Sequence, residues 1–255
     1  VYIMFIEKNI NITGLNISFI DNEKNNSKII LFMHGWGADK YNLMSIYKPL
    51  MDNYRIISVD LPGFGNSSRP EISIGSEEYC EIIYKFLVAL NIEKINIVAH
   101  SFGGKLAILL AVNYSNFVEK LVLIDSSGIR AKRGFLWYIR VFSFKFLKFL
   151  YKNIFKNDRL LESLKNRFGS DDYKNAGKMR DILVKTVNED FSHILDKIKC
   201  PVFLYWGEKD RDTPLWMARK MQKKINDCGM FIVKNGGHYS FLQDNRIVNI
   251  IKSFI

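Results

Sequence analysis

Six short apolar segments recur along the chain, with longer amphipathic stretches between them. They are KIILFMH (28–34), YRIISVD (54–60), KINIVAH (94–100), KLVLIDS (120–126), PVFLYWG (201–207) and MFIVKN (230–235). Apolar runs of this length between turn residues are typical of parallel strands that are buried on both faces of a sheet. The pattern therefore predicts six parallel strands.

The stretches between these segments have apolar residues at spacings of three and four, which is the period of an amphipathic helix. Residues 77–90 and 214–225 are examples, and Thr213 is expected to be the N-cap of the second helix, with Pro214 at its first position. Residues 11–14, NITG, lie between two apolar runs and predict an antiparallel hairpin at the sheet edge. The alternation predicts an α/β fold with a doubly wound, mostly parallel sheet, which carries function in loops at the carboxyl ends of its strands.

The alternation of strands and helices stops between residues 130 and 195, where the sequence becomes basic, aromatic and helical. A compact protein rarely contains so long a loop without secondary structure. We therefore predict a helical lid (130–195) in a core of residues 1–129 and 196–255. The lid is inserted after the strand at 120–126, which is the sixth strand when the two strands of the predicted hairpin are counted.

Composition agrees with one α/β core and an insertion, since the 255 residues are 48% hydrophobic. Cys80, Cys200 and Cys228 are isolated in the sequence, which argues against a disulfide framework and a zinc site and favours a reducing compartment. The first ten residues have no basic region, and Glu7 and Lys8 interrupt their apolar run. The expectation is a cytoplasmic protein without a signal peptide.

The net charge of +11 is concentrated in one part of the chain. Residues 130–167 contain eleven basic and two acidic residues, a net charge of +9. Within residues 142–156 the lysines recur at 145, 148, 152 and 156, on one face of a helix. Such a helix can make a weak contact with an anionic membrane, but lysines exposed to water are the more common arrangement and the one we favour. No recognition motif supports nucleic-acid binding.

The stretch VAHSFGG (98–104) places a serine between a predicted strand and a predicted helix. Small residues two positions on either side, Ala99 and Gly103, allow the strand and the helix to approach each other around Ser101. The turn would expose the hydroxyl and direct the amide of Phe102 towards a substrate. A serine that merely caps the helix has the same local pattern, so the stretch alone leaves both interpretations open.

Three other strand ends carry residues that suit the same chemistry. The loop HGWG (34–37) could bring the amide of Trp36 beside that of Phe102 and form a two-donor oxyanion hole. Asp210 follows the strand at 201–207, and His238 lies in a glycine-bearing turn after the last strand. The order along the chain is therefore serine, aspartate, histidine.

This order resembles that of the α/β-hydrolase fold superfamily, and the resemblance extends over nearly the whole chain. Its landmarks are HGWG (34–37), DLPGFGNS (60–67), AHSFGG (99–104), GEKD (207–210) and GGHYSF (236–241). Alanine at position 99 departs from the glycine of many members, but it is small enough for the turn. The resemblance implies Ser101 as nucleophile, His238 as base and Asp210 as acid, with an oxyanion hole from the amides of Trp36 and Phe102. Within the superfamily, the chain most resembles the branch of lidded serine esterases and carbon–carbon bond hydrolases.

Other residues compete for the role of the acid. Asp125 ends its own strand, at a position where some members of the superfamily carry their acid, and it is the main rival of Asp210. Asp212 could instead cap the following helix. Among the histidines, His34, His100 and His193 fit the role of base less well than His238, because they lie in the glycine loop, before the nucleophile and in the insertion.

Serine at the turn favours attack on a carbonyl carbon, because relatives that open epoxides or displace halide use a carboxylate there. The expected function is a carboxylic ester hydrolase that forms an acyl-enzyme with a small-molecule ester or acyl substrate. Cleavage of an amide or a carbon–carbon bond uses the same groups, and a catalytically idle protein that binds a ligand or a membrane is the alternative from another class. No metal or cofactor is implied.

The insertion also offers residues for substrate binding. Arg180 or Lys178 could contact a substrate carboxylate, although exposed surface charges are the simpler interpretation.

Overall fold

In the computed structural model, the described residues are 6–25, 28–131 and 171–255. The chain divides into two compact units, one formed by residues 1–130 with 185–255 and the other by residues 131–184. The second unit is shorter than the predicted insertion, and the predicted lid stays a prediction. The lysine-bearing stretch 142–156 lies outside the described residues.

The first unit contains one eight-stranded sheet. Its strands are β1 (Ile6–Ile12), β2 (Leu15–Asp21), β3 (Ile29–Met33), β4 (Arg55–Val59), β5 (Ile95–His100), β6 (Val118–Ile124), β7 (Val202–Gly207) and β8 (Cys228–Val233). Their order across the sheet is β1-β2-β4-β3-β5-β6-β7-β8. Strands β1 and β2 form an antiparallel hairpin at one edge, and β2 pairs antiparallel with β4. The other neighbouring pairs are parallel, as the sequence predicts.

The described α-helices are α1 (Met44–Tyr47), α2 (Ser76–Ala89), α3 (Ser101–Asn113), α4 (Asp171–Asn175), α5 (Arg180–Val187), α6 (Trp216–Lys224), α7 (Ser240–Gln243) and α8 (Arg246–Phe254). Short 3-10 turns cover Lys48–Leu50, Gly177–Met179 and Leu195–Lys197. Helix α2 begins where the Glu78 carboxylate accepts the amide of Gly75 at 2.8 Å, which satisfies a backbone donor that the helix itself leaves free.

The core follows from the alternation of side chains along the strands. Ile30 and Phe32 of β3 face a buried cluster that also contains Tyr47, Ile247 and Ile251, from the helices on that side of the sheet. Helix α3 is buried along nearly its whole length, since every residue from Phe102 to Ala111 is inaccessible or nearly so. It follows β5 without a linker, so its first residue is fixed at the carboxyl edge of the sheet.

Candidate active site

Ser101 lies at the junction of β5 and α3 and has a left-handed backbone conformation, with φ of 48°. Residues with a Cβ atom adopt this conformation at a cost of about 1–3 kcal/mol, so the surrounding contacts must hold it. Gly103 provides one of them, because its amide donates to the carbonyl oxygen of His34 at 3.1 Å. A Cβ atom at Gly103 would lie 2.5 Å from the carbonyl oxygen of Met33, so only glycine permits this close approach of helix and strand.

His238 lies within hydrogen-bonding distance of both Ser101 and Asp210. Its Nε2 atom is 2.9 Å from Ser101 Oγ, and its Nδ1 atom is 2.9 Å from Asp210 Oδ2. We assign the ring proton to Nδ1, because a carboxylate can only accept it. Nε2 is then the acceptor for the serine hydroxyl, and the three side chains form one continuous hydrogen-bonded chain.

Asp210 is buried and surrounded by donors. Its Oδ1 atom accepts the amides of Asp212 at 2.8 Å and of Thr213 at 3.0 Å. Burial raises the pKa of Asp210, but the hydrogen bond and charge of His238 and the two bonds from Thr213 outweigh it, so that the pKa lies below its ordinary value. Asp210 therefore stays ionised at neutral pH.

The pKa of His238 is raised, although burial alone lowers it. The opposing effect comes first from the hydrogen bond to Asp210 and then from the charge of the same carboxylate. A carboxylate at this distance stabilises the imidazolium that forms when the ring takes a proton. His238 is thus a stronger base than an isolated histidine.

Asp125, the rival acid, makes its hydrogen bonds elsewhere. Its Oδ1 atom accepts the amide of Gly207 at 2.7 Å, and its Oδ2 atom accepts the amide of Ser240 at 3.0 Å and the Ser240 hydroxyl at 2.6 Å. Burial raises its pKa to about 7, although these three donors oppose the shift. The structure therefore brings Asp210 rather than Asp125 to the ring of His238.

Thr213 is not the N-cap that the sequence predicts. Helix α6 begins at Trp216, with Leu215 at the cap position and no side-chain cap bond. The hydroxyl of Thr213 lies 2.6 Å from Asp210 Oδ2 and 2.9 Å from the carbonyl oxygen of Asp125, so its one proton serves one of these acceptors. Spacing could have suggested that the amide of Thr213 bonds to Asp210, since an aspartate often accepts the amides two and three residues further on.

The loop that contains Trp36 lies against the turn of Ser101. A Cβ atom at Gly35 would be 3.2 Å from the Cβ atom of Ser101, and the rings of Trp36 and Phe102 meet edge to face with their centroids 5.5 Å apart. Phe102 is the second residue of α3, a position whose amide has no acceptor within the helix. The two predicted oxyanion donors thus belong to adjacent segments on either side of the serine.

Comparisons with known proteins agree with this architecture. A family model for the alpha/beta hydrolase fold matches residues 28–245. The chain belongs to the α/β-hydrolase fold family. This assignment covers every strand from β3 to β8 and all three members of the hydrogen-bonded chain.

Relatives of this α/β hydrolase include enzymes of two kinds. The 2-hydroxy-6-oxo-6-(2'-aminophenyl)hexa-2,4-dienoic acid hydrolase of Metapseudomonas resinovorans is 24% identical over 253 residues, which cover 94% of this chain and 87% of that protein. Lipase 1 of Psychrobacter immobilis is 25% identical over 246 residues, 91% of this chain and 77% of the lipase.

Solved structures share the fold. The crystal structure of a membrane phospholipase A, named a bacterial virulence factor, superposes with a TM-score of 0.77 and 24% identity and covers 98% of this chain and 85% of its own. The CarC serine hydrolase of carbazole degradation has a TM-score of 0.74 and 22% identity, with 98% of each chain covered.

His100 contacts His238, and the sequence did not indicate this contact. The ring is buried, its Nε2 atom lies 2.8 Å from the carbonyl oxygen of His238, and the two rings are 4.9 Å apart. Burial, and to a smaller extent the charge of the neighbouring His238, lowers the pKa of His100 to about 3. His100 is therefore neutral at any pH at which His238 changes its charge.

The residues predicted to contact a substrate carboxylate lie in the second unit. The Arg180 guanidinium lies over the ring of Tyr173, 4.9 Å from its centroid, and Nε donates to the Tyr173 carbonyl oxygen at 3.2 Å. Lys178 belongs to the 3-10 turn Gly177–Met179. A role for either in substrate binding stays a prediction.

Two further properties concern metals and membranes. Ligand-type atoms of Asp210, Asp212 and His238 lie within 4.8 Å of one another, the spacing of a metal site. The Asp210 and His238 atoms in question already bond to each other, so the hydrogen-bonded chain accounts for their proximity. Within the described ranges, the structure contains no helix that is both long enough and apolar enough to cross a membrane.

Proposed function

We propose that this α/β hydrolase is a serine hydrolase that cleaves carboxylic esters through an acyl-enzyme. The observation that supports the proposal most directly is the continuous chain from Ser101 Oγ to His238 Nε2 and from His238 Nδ1 to Asp210, with both distances at 2.9 Å. A serine hydroxyl is a weak nucleophile until a neighbouring base takes its proton. In this geometry a histidine with a raised pKa lies within hydrogen-bonding distance of that hydroxyl.

The first half of the proposed reaction forms a carbon–oxygen bond. Ser101 Oγ attacks the ester carbonyl carbon while its proton passes to His238 Nε2, and the negative charge that develops on the carbonyl oxygen is stabilised by the amides of Trp36 and Phe102. The tetrahedral intermediate then expels the alcohol, which takes the proton from His238. The product of this half is Ser101 acylated at Oγ.

The second half releases the acid. Water gives a proton to His238 Nε2 and attacks the acyl carbon, and collapse of the second tetrahedral intermediate breaks the bond to Ser101 Oγ, which regains its proton from His238. Asp210 stays ionised throughout and holds Nδ1–H, so that Nε2 faces the reacting atoms. Each oxyanion donor contributes about 3 kcal/mol to a reaction of this kind.

The comparisons support both this proposal and a second candidate. The similarity to the lipase of Psychrobacter immobilis favours ester cleavage, whereas the similarity to the dienoic acid hydrolase of Metapseudomonas resinovorans favours hydrolysis of a carbon–carbon bond next to a ketone. The same serine, base and oxyanion donors serve both reactions. The leaving group, an alcohol or a carbanion, is what distinguishes them.

Labelling with a fluorophosphonate probe tests the proposal at the nucleophile. Wild-type protein should take one label, Ser101→Ala should take none, and Ser253→Ala, which removes an exposed hydroxyl from α8, should label like the wild type. Label on Ser101→Ala, or none on the wild type, would contradict the serine mechanism and leave a ligand-binding protein with a hydrolase fold.

A substrate panel then separates the two reactions. Ester hydrolysis predicts turnover of p-nitrophenyl acetate, butyrate and octanoate, with little activity on a 2-hydroxy-6-oxohexadienoate that carries an aryl group. The reverse preference would favour carbon–carbon cleavage. Both activities should disappear in Ser101→Ala, since both require the same nucleophile.

A further inference from the structure

The four residues that follow β6, Asp125 to Gly128, lie at the point where the chain leaves the sheet. Ser127 contacts the nucleophile directly. Its amide donates to the carbonyl oxygen of Ser101 at 3.0 Å, and its hydroxyl donates to the same oxygen, also at 3.0 Å. Two donors from one residue therefore converge on the carbonyl group of the residue with the left-handed backbone.

The same short segment also contacts the other two loops of the hydrogen-bonded chain. Asp125 accepts both donors of Ser240, which lies two residues after His238. Its carbonyl oxygen lies 2.9 Å from the hydroxyl of Thr213, the residue that donates its amide to Asp210. One segment thus contacts all three loops.

Ser127 is itself held on both sides. The buried Ser126 hydroxyl donates to the carbonyl oxygen of Ser127 at 2.7 Å, and the carbonyl oxygen of Gly128 accepts the amide of Phe191 at 2.8 Å. Gly104 makes room for Ser126, because a Cβ atom at Gly104 would lie 2.2 Å from the Ser126 hydroxyl oxygen. The Ser127 donors are therefore fixed in place before any substrate arrives.

We propose that Ser127 is a positioning residue for the nucleophile: its hydroxyl holds the carbonyl group of Ser101, and with it the backbone that aims Oγ at His238. This inference rests on the proposed function, in which Ser101 is the attacking group. A backbone rotation at Ser101 moves Oγ relative to Nε2, and small misplacements of a reacting atom slow the chemical step while substrate binding is retained.

Ser127→Ala removes one of the two donors and keeps the other, because the backbone amide remains. On p-nitrophenyl butyrate we expect kcat to fall roughly fivefold to tenfold, about the effect of one lost hydrogen bond, with KM unchanged. The rate constant for fluorophosphonate labelling should fall by a similar factor. Ser127→Thr retains the hydroxyl and should restore most of both rates.

Ser58→Ala is the matched control. It removes another buried serine hydroxyl that donates to a backbone carbonyl oxygen, that of Lys40 at 2.7 Å. A merely structural role of Ser127 predicts that the two variants lose similar amounts of activity and of thermal stability. The positioning role predicts instead that Ser58→Ala keeps kcat within about twofold of the wild type while Ser127→Ala does not.

Amide hydrogen exchange gives a second readout that needs no turnover. In Ser127→Ala the peptide that contains residues 98–104 should exchange faster than in the wild type, whereas Ser127→Thr should match the wild type. If Ser127→Ala keeps wild-type kcat and exchange, or if Ser58→Ala loses as much kcat, the inference is wrong. Failure of the proposed function gives a different result. The wild type would then take no fluorophosphonate label, while the exchange comparison would still test whether Ser127 holds residues 98–104.

Discussion

The Nδ1 atom of His34 lies 2.7 Å from the carbonyl oxygen of Gly35, the next residue in the chain. On the other side of the ring, Nε2 accepts the amide of Leu61 at 3.0 Å, so we assign the ring proton to Nδ1. Burial lowers the pKa of His34, which keeps the ring neutral. Because the Gly35 carbonyl and the Trp36 amide share one peptide plane and point in opposite directions, the imidazole fixes the direction of that amide.

Loss of this imidazole should weaken the oxyanion hole. In His34→Ala we expect kcat on p-nitrophenyl acetate to fall about a hundredfold with a small change in KM, since the Trp36 amide is no longer held in one orientation. Steady-state kinetics on protein that is folded by circular dichroism gives the measurement. The exposed His193→Ala serves as control and should have wild-type kinetics. Wild-type kcat in a folded His34→Ala protein would disprove the assignment.

The two buried aspartates should respond to substitution in different ways. Asp210→Asn should lower kcat by about 10⁴, because the amide no longer fixes the tautomer of His238 or stabilises its charged form. Asp125→Asn should mainly lower the free energy of unfolding, by roughly 1–3 kcal/mol, since its new amide group would face donors from Gly207 or Ser240. Kinetics and urea unfolding of both variants distinguish the roles. The opposite result, with the larger loss of kcat in Asp125→Asn, would make Asp125 the acid.

The activity should fall at acidic pH. His238 must be neutral to take the serine proton, and its pKa is raised. We therefore expect kcat/KM to fall as pH drops through a value above about 6.5, the ordinary value for histidine. His100 and His34 have lowered pKa values and keep their charge in this range, whereas Asp125, with a pKa of about 7, also titrates there, so the profile of Asp125→Asn separates its contribution. A midpoint below pH 6 in both proteins would contradict this prediction.

Lys105 should affect stability at alkaline pH. It is buried on α3, its ammonium bonds to the carbonyl oxygen of Thr186 and lies 3.9 Å from Glu189 Oε2. Burial lowers its pKa to about 8, although Glu189 opposes the shift. Between about pH 8 and 10.5 the unfolded chain keeps a proton that the folded protein has lost, so the free energy of unfolding should rise with pH there.

Lys105→Met removes this titration. Urea unfolding at several pH values should show the rise in the wild type and, in the variant, a rise smaller by on the order of 2 kcal/mol. Lys85→Met, which replaces a half-exposed lysine paired with Glu81, is the control and should preserve the wild-type rise. Equal pH dependence in Lys105→Met and the wild type would refute the prediction.

Much of the fold and the location of the candidate site could be predicted from the sequence. Buried parallel strands are long apolar runs, and each such run is a strand in the structure, with ends that differ by one or two residues. A parallel sheet places the carboxyl ends of its strands along one edge, so residues that follow different strands come together whatever their distance in the chain. This is why Ser101, Asp210 and His238 could be grouped before their geometry was known.

The contacts that support these residues could not be predicted in the same way. His100 and Ser127 bond to partners 138 and 26 residues away, and the hydroxyl of Thr213 also contacts the carbonyl oxygen of Asp125, 88 residues away. Such pairs have no local spacing that marks them. The prediction of Thr213 as N-cap is wrong because a threonine before a proline is a common helix start, whereas this helix begins three residues later. Local sequence preference therefore predicted the helix after Thr213 but could not predict the contacts of the Thr213 hydroxyl with Asp210 and Asp125.

The bond between the Phe191 amide and the Gly128 carbonyl has a consequence for how the protein could be re-engineered. It joins the stretch just before residues 131–184 to the stretch just after them, and β6 and β7, the strands on either side, are neighbours in the sheet. The two ends of the intervening segment are therefore held together by the first unit itself, and we expect that residues 131–184 can be exchanged without altering the register of β6 and β7.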